Sequence, residues 1–72
     1  MVTVNFRLSK AGTVNVEVDE PLPLKTILAK AATIAGIELG GVIAVRSGEV
    51  ITLTTTVNNH DIIDVFPAIS GG

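Results

Sequence analysis

The hydrophobic residues of this chain change their spacing once, and that change restricts the folds open to it. Over residues 2–9, and again over 13–18, apolar and polar residues alternate, which predicts two half-buried strands. Gly12 lies between them and allows a turn, so the two segments predict a hairpin with one apolar face. From Leu24 the apolar residues recur at helical spacing for about three turns. This stripe comprises Leu24, Ile27, Leu28, Ala31, Ile34 and Ala35.

The ends of the helix and the segments after it complete the predicted order. Pro23 suits the first helical turn, and Gly36 followed by Ile37 is typical of a Schellman-type end. The apolar run 42–45 predicts a strand that is central or covered on both faces, and two more strands follow over 49–53 and 62–66.

One helix can cover only one face of a sheet, so the order predicts a two-layer α+β domain. We expect a mixed sheet of four to five strands, with the first and last strands side by side at its centre. The helix stripe is expected to pack against Val4, Phe6, Val14, Val16, Ile43 and Val65.

Composition excludes several classes of function. The chain has 72 residues, a net charge of −2 and no cysteine. Nucleic-acid binding needs a basic patch, but the five Lys and Arg residues are scattered along the sequence. Disulfides, zinc–thiolate sites and cysteine nucleophiles are excluded. We find no signal peptide, membrane segment or metal-ligand motif, and we expect a cytoplasmic protein that is monomeric when free.

The last six residues predict a different role from the rest of the chain. We divide the sequence into a folded domain over residues 1–66 and a flexible, reactive tail over residues 67–72. Pro67 stiffens the root of this tail, and Gly71 and Gly72 put no side chain beside the terminal carbonyl. A C-terminal carboxyl group has a pKa of about 3.3–3.7 in model peptides, so it is ionised at neutral pH and must be activated before it reacts.

The element order, together with the closing segment NNHDIIDVFPAISGG, resembles the ubiquitin-like β-grasp sulfur carriers of the ThiS and MoaD family. Asp61 matches the aspartate of the family's turn, Phe66 and Pro67 match its Phe-Pro, and Gly71-Gly72 match its reactive end. His60 stands where the family usually has glycine, and the turn near residues 46–48 also departs from the usual Asn-Gly.

The resemblance implies a carrier protein, not an enzyme. An E1-like adenylating enzyme would use ATP to activate Gly72, which would become a thiocarboxylate and donate sulfur to a synthase of molybdopterin or thiamine synthesis. No cofactor would be bound to the chain itself. Gly71 and Gly72 are the expected reactive site. The expected partner-binding residues are Ile62, Phe66, Pro67, Ala68, Ile69 and Ser70.

Two other functions and two residue assignments stay open on the sequence. The tail could be joined to lysine amines as a ubiquitin-like protein modifier, or it could belong to a β-grasp interaction module that is never activated. Phe66 shares a strand face with Ile62 and is expected to face outward as part of a binding face. The alternatives are an isolated exposed aromatic residue without a partner and, if its removal mainly costs stability, a core residue. His60 and Asp61 are expected to be turn residues and not catalytic groups.

Overall fold

A single helix forms where the hydrophobic spacing changes. In the computed structural model, which describes residues 1–8 and 10–68, α1 spans Leu24–Ala35. Gly36 follows it in the left-handed conformation, with φ 69° and ψ 33°. The Ile37 N–H donates to the Ala32 carbonyl at 3.0 Å, and the Gly36 N–H donates to the Thr33 carbonyl at 3.2 Å. These two bonds are those of a Schellman motif, as the sequence predicted.

Strands precede and follow the helix in the sequence, and most of them form one sheet. The strands are β1 (Val2–Phe6), β2 (Gly12–Val16), β3 (Leu22–Pro23), β4 (Val42–Arg46), β5 (Glu49–Ile51), β6 (Thr56–Val57) and β7 (Ile62–Pro67). Five of them make a sheet in the order β2-β1-β7-β4-β5. The helix packs on one face of this sheet, which confirms the predicted two-layer α+β arrangement.

The last strand occupies the middle of the sheet. β7 pairs in parallel with β1 and antiparallel with β4, while β1 and β2 form the predicted hairpin. The prediction that the first and last strands lie side by side at the centre is therefore confirmed. Because β7 has a neighbour on each side, the segment that leads into the tail is held along both edges.

A short second sheet was not predicted. Leu22 and Pro23 of β3 pair with Val57 and Thr56 of β6. Val57 is completely buried beside the helix, and the Leu24 N–H donates to the Thr55 carbonyl at 2.9 Å. A two-residue strand is too short to show a hydrophobic period, and residues 54–56 are all threonine. The sequence therefore gave no reason to predict the pairing of β3 with β6.

The core confirms most of the predicted packing, with Ile43 as an exception. Leu24, Ile27, Leu28 and Ala31 are buried against the predicted residues of β1, β2 and β7. Ile43, however, is 46 % exposed, and Ala44 takes the core position instead because it pairs with Val65, which faces the helix.

The helix stripe is also shorter than predicted, because Ile34 is 60 % exposed and lies above a cleft beside the edge strand β2. Finally, β4 is an interior strand of the sheet, which agrees with one of the two predicted alternatives, but it is not covered on both faces. It lies between β7 and β5, and its outer face is open.

Candidate docking surface at the root of the tail

The face of the sheet that is turned away from α1 carries an apolar patch. Side chains alternate along each strand, so residues opposite one another across paired strands share a face. The Ile43–Phe66 and Val45–Val50 pairs both lie on this open face. We define the apolar patch as Ile43, Val45, Val50, Ile62 and Phe66. Ile62 is 57 % exposed, whereas its neighbour Ile63 is completely buried.

The other half of the open face is polar. The Thr13 hydroxyl donates to Asn5 Oδ1 at 2.8 Å, and Asn5 Nδ2 donates to Asp64 Oδ1 at 3.1 Å. Arg7 Nε also donates to Asp64 Oδ1, at 3.1 Å. Asp64 lies between Ile62 and Phe66 on β7 and opposite Val45 on β4, so this polar network extends from the polar half into the apolar patch.

The chain leaves the sheet at the end of β7 with its backbone still bonded. The Arg7 N–H donates to the Val65 carbonyl at 2.8 Å, and the Ala68 N–H donates to the Gly41 carbonyl at 2.9 Å. The last strand thus continues one residue further than predicted, through Pro67. A groove of about 380 Å³ lies beside Pro67, between β1 and residues 37–42. The root of the tail is therefore fixed to the folded domain up to Ala68.

The turn before β7 is built by Asp61. Its Oδ2 accepts from the Asn58 N–H at 2.9 Å and from Arg46 Nη1 at 3.0 Å. Arg46 Nη1 also donates to the Thr56 carbonyl at 2.8 Å. Asp61 is therefore a turn residue, as expected.

His60 is exposed and has a φ of 74°, a conformation that glycine adopts without strain. This backbone geometry accounts for the glycine that the sequence resemblance places at this position.

The predicted site residues fall into two groups. Ile62 and Phe66 share the open face of β7 with Asp64 between them, and Phe66 is half-buried; Pro67 and Ala68 are exposed at the end of β7. Ile69, Ser70, Gly71 and Gly72 lie outside the described residues.

The sequence missed Ile43, Val45 and Val50 as parts of the same surface. Residues 42–45 are apolar throughout, so Ile43 and Val45 could not be assigned to a face without the β4–β7 register, and Val50 joins them only through its pairing with Val45.

The structure offers no built metal site in the residues it describes. No group of three or more His, Asp or Glu side chains comes together within residues 1–8 and 10–68. Over the same part of the chain, no helix is long and apolar enough to cross a membrane.

The fold is similar to that of two solved structures. The structure resembles the crystal structure of SAMP1 from Haloferax volcanii, with a TM-score of 0.72 and 22 % identity over 99 % of this chain and 98 % of that one. It also resembles a structure of H. volcanii small archaeal modifier protein 1, with a TM-score of 0.74 and 19 % identity over 94 % of this chain and 97 % of that one. At these identities the likeness establishes a shared β-grasp fold.

Curated proteins gave no match to the sequence. The model of the ThiS family, in contrast, matches residues 2–72, which is nearly the whole chain and includes Gly71 and Gly72. The chain therefore belongs to the ThiS family.

Proposed function

We propose that this protein is a sulfur carrier whose Gly72 carboxylate is adenylated by a partner enzyme, converted to a thiocarboxylate and used as a sulfur donor. The observation that carries the proposal is the ThiS family match, which extends to Gly72. The enzyme that receives the sulfur is a synthase in the biosynthesis of molybdopterin or thiamine. The chain is a co-substrate of these enzymes and performs no catalysis of its own.

The chemistry takes place in two steps on the partner enzymes. A carboxylate oxygen of Gly72 attacks the α-phosphorus of ATP, and pyrophosphate leaves. The sulfur of a hydrosulfide or an equivalent donor then attacks the acyl carbon, and AMP leaves with the carboxylate oxygen. Glycine suits the second step because no side chain obstructs the approach of sulfur to the acyl carbon.

The described residues support this proposal by the way they hold the root of the tail. The Ala68 N–H is bonded to the Gly41 carbonyl, and four residues, Ile69 to Gly72, follow Ala68 in the sequence. Four residues span at most about 14 Å when extended. An enzyme that binds the folded domain would therefore find the carboxylate within a short and defined range.

The apolar patch is the surface that we assign to this enzyme. Ile62 and Phe66 lie on the strand that leads into the tail, and Ile43 lies opposite Phe66 on β4. Exposed apolar side chains that cluster on a small domain mark protein-binding surfaces. Docking here would place the enzyme directly beside the point where the tail begins.

The absence of cysteine makes a selective test possible. The protein would be incubated with its adenylating enzyme, ATP and sulfide, and then treated with iodoacetamide. With no thiol in the sequence, a thiocarboxylate is the one sulfur nucleophile that this reaction can create on the chain. We expect one alkyl group per chain, located at Gly72 by tandem mass spectrometry and dependent on ATP.

The same reaction mixture separates the alternative functions. A protein modifier would give isopeptide conjugates to lysines and no alkylated product. An interaction module would remain unmodified and would support no ATP–pyrophosphate exchange. Either outcome would contradict the sulfur-carrier proposal.

A further inference from the structure

We propose that the outer edge of β2, together with the cleft between β2 and α1, is a second binding site that takes an extended peptide carrying an apolar side chain followed by acidic ones. This site shares no residue with the apolar patch and does not depend on the tail. It lies at the opposite edge of the sheet from β5.

The backbone of β2 has one unpaired edge. β2 pairs only with β1 in the part of the chain that the structure describes. Thr3 and Arg7 direct their N–H groups toward β7, so the even-numbered residues of β1 are those that bond to β2. Their partners are the even-numbered residues of β2. The N–H and C=O groups of Thr13 and Asn15 therefore point away from the sheet, where an added strand would meet them.

This edge lacks the usual protection against strand addition. Gly12–Val16 contains no charged residue and no proline. Natural sheets commonly block an exposed edge with lysine, proline or a covering element. An open edge with β-branched residues is the geometry that peptide-binding domains use for β-augmentation.

Beside the edge lies a cleft with an apolar wall. Its volume is about 740 Å³, and it is lined by Met1, Val16, Ala29 and Ile34 among others. Ile34 is among the large hydrophobic residues that the fold leaves exposed. A strand added to β2 would direct alternate side chains toward this cleft, so its ligand should carry an apolar residue at that position.

Charge and packing select the occupant. The charged residues of α1 are Lys25 and Lys30, and Lys30 lines the cleft. An acidic residue of the peptide would lie near Lys30 and away from Glu17 at the other wall. A second copy of this chain fits less well, because the helix-facing side chains of its β2, Val14 and Val16, are already buried in their own core.

The test uses isotope-labelled protein and three synthetic octapeptides. The first alternates valine and threonine and ends in two aspartates. The second has the same sequence with alternate backbone amides methylated, and in the third the aspartates are replaced by lysines. We expect the first peptide to shift the amide resonances of Thr13 and Asn15, to slow their hydrogen exchange and to shift the Ile34 methyl groups. The methylated peptide should bind at least about tenfold more weakly, because it loses hydrogen bonds to the edge.

Two charge reversals on the helix provide a matched pair. Lys30→Glu should lower the affinity for the aspartate peptide by about two- to fivefold and raise the affinity for the lysine peptide, because it reverses the charge beside the cleft. Lys25→Glu makes the same change on the same helix outside the cleft lining, and it should leave both affinities nearly unaltered.

Several results would overturn the proposal. They are equal binding of the methylated peptide, equal effects of the two lysine variants, shifts confined to the apolar patch, and no shift with millimolar peptide. Concentration-dependent shifts of Thr13 and Asn15 without peptide would assign the edge to a second copy instead.

Discussion

Ile62 and Ile63 are adjacent isoleucines of β7 on opposite faces of the sheet, and they allow the assignment of the docking surface to be tested. Ile62 is 57 % exposed on the open face, and Ile63 is 0 % exposed against the helix. Replacing each in turn by alanine removes the same three carbon atoms from adjacent positions of one strand. The difference between the two variants therefore reflects the different burial and packing of the two side chains.

Replacing the buried isoleucine should lower the free energy of unfolding far more than replacing the exposed one. Removing three carbons from a core isoleucine loses their transfer free energy and leaves a cavity, so Ile63→Ala should lower the free energy of unfolding by about 2–5 kcal/mol. A chain of 72 residues has a total stability of roughly 4–11 kcal/mol. Ile63→Ala should therefore remove a large share of the total.

The exposed member should have a smaller effect on stability. A little less than half of Ile62 is removed from water, and three fully buried carbons are worth roughly 2.4 kcal/mol, so Ile62→Ala should cost about 1 kcal/mol. No cavity contribution applies, because the site is open to solvent. For a domain of this size, 1 kcal/mol corresponds to a fall in Tm of about 4–8 °C.

Urea unfolding followed by far-ultraviolet circular dichroism measures both variants. The chain has no tryptophan or tyrosine, so intrinsic fluorescence is a poor probe. The binding measurement is the KM for the carrier in ATP–pyrophosphate exchange with the adenylating enzyme. Ile62→Ala should raise this KM by about fivefold or more, as for an interface residue worth over 1 kcal/mol. Ile63→Ala, measured well below its melting temperature, should change the KM little.

Two outcomes would refute this reasoning. Equal losses of stability in Ile62→Ala and Ile63→Ala would show that Ile62 is buried in a core and is not exposed on the open face. An unchanged KM for Ile62→Ala, with the expected small loss of stability, would show that the adenylating enzyme does not contact the apolar patch.

Further expectations concern the tail, the patch, the core and the turn before β7. Deleting Gly72 should leave stability unchanged and abolish pyrophosphate exchange, because the carboxylate moves by roughly 3.3–3.6 Å, and a misplacement of about 1 Å can cost a hundredfold in rate; adding one residue should have the same effect, and full activity of both variants would exclude a reactive arm. Phe66→Ala should weaken enzyme binding by about 1–3 kcal/mol, and a large loss of stability with unchanged affinity would make Phe66 a core residue. Ile27→Asp should destabilise by several kcal/mol in urea unfolding, because it buries an unpaired charge, and an unaltered transition would contradict the helix packing. His60→Gly should leave the free energy of unfolding unchanged or raise it by up to about 1 kcal/mol, because relief of the positive φ is partly offset by the flexibility of glycine in the unfolded chain, and a clear loss would show that the His60 side chain stabilises the turn.

The layer architecture could be predicted because period and length are local properties of the sequence. The alternation in β1 and β2, the helical stripe from Leu24 and the Gly36 cap each depend on neighbours within a few residues. The two-layer arrangement followed because one helix covers only one face of a sheet. The central position of β7 was expected because only that position lets the chain end leave from a rigid, well hydrogen-bonded strand.

The faces of β4 could not be predicted because its sequence is apolar on both sides. Ile43 and Ala44 are equally plausible core residues until the pairing of Ala44 with Val65 is known. Register between strands that are distant in sequence is set by tertiary contacts, and a shift of one residue exchanges the two faces. Ile43 was therefore assigned to the core, and most of the apolar patch was missed.

The arrangement of β7 explains why the length of the tail should matter more than its composition. The patch residues Ile62 and Phe66 alternate with the core residues Ile63 and Val65 on one strand, and this strand is bonded on both sides before it ends at Pro67. The distance from Phe66 to Ala68 is thus fixed by the sheet. Beyond Ala68, four residues set the reach toward an enzyme docked on the patch, up to about 14 Å. A change of side chain within that span alters local contacts, whereas a change of length displaces the reacting carboxylate relative to a surface that cannot move with it.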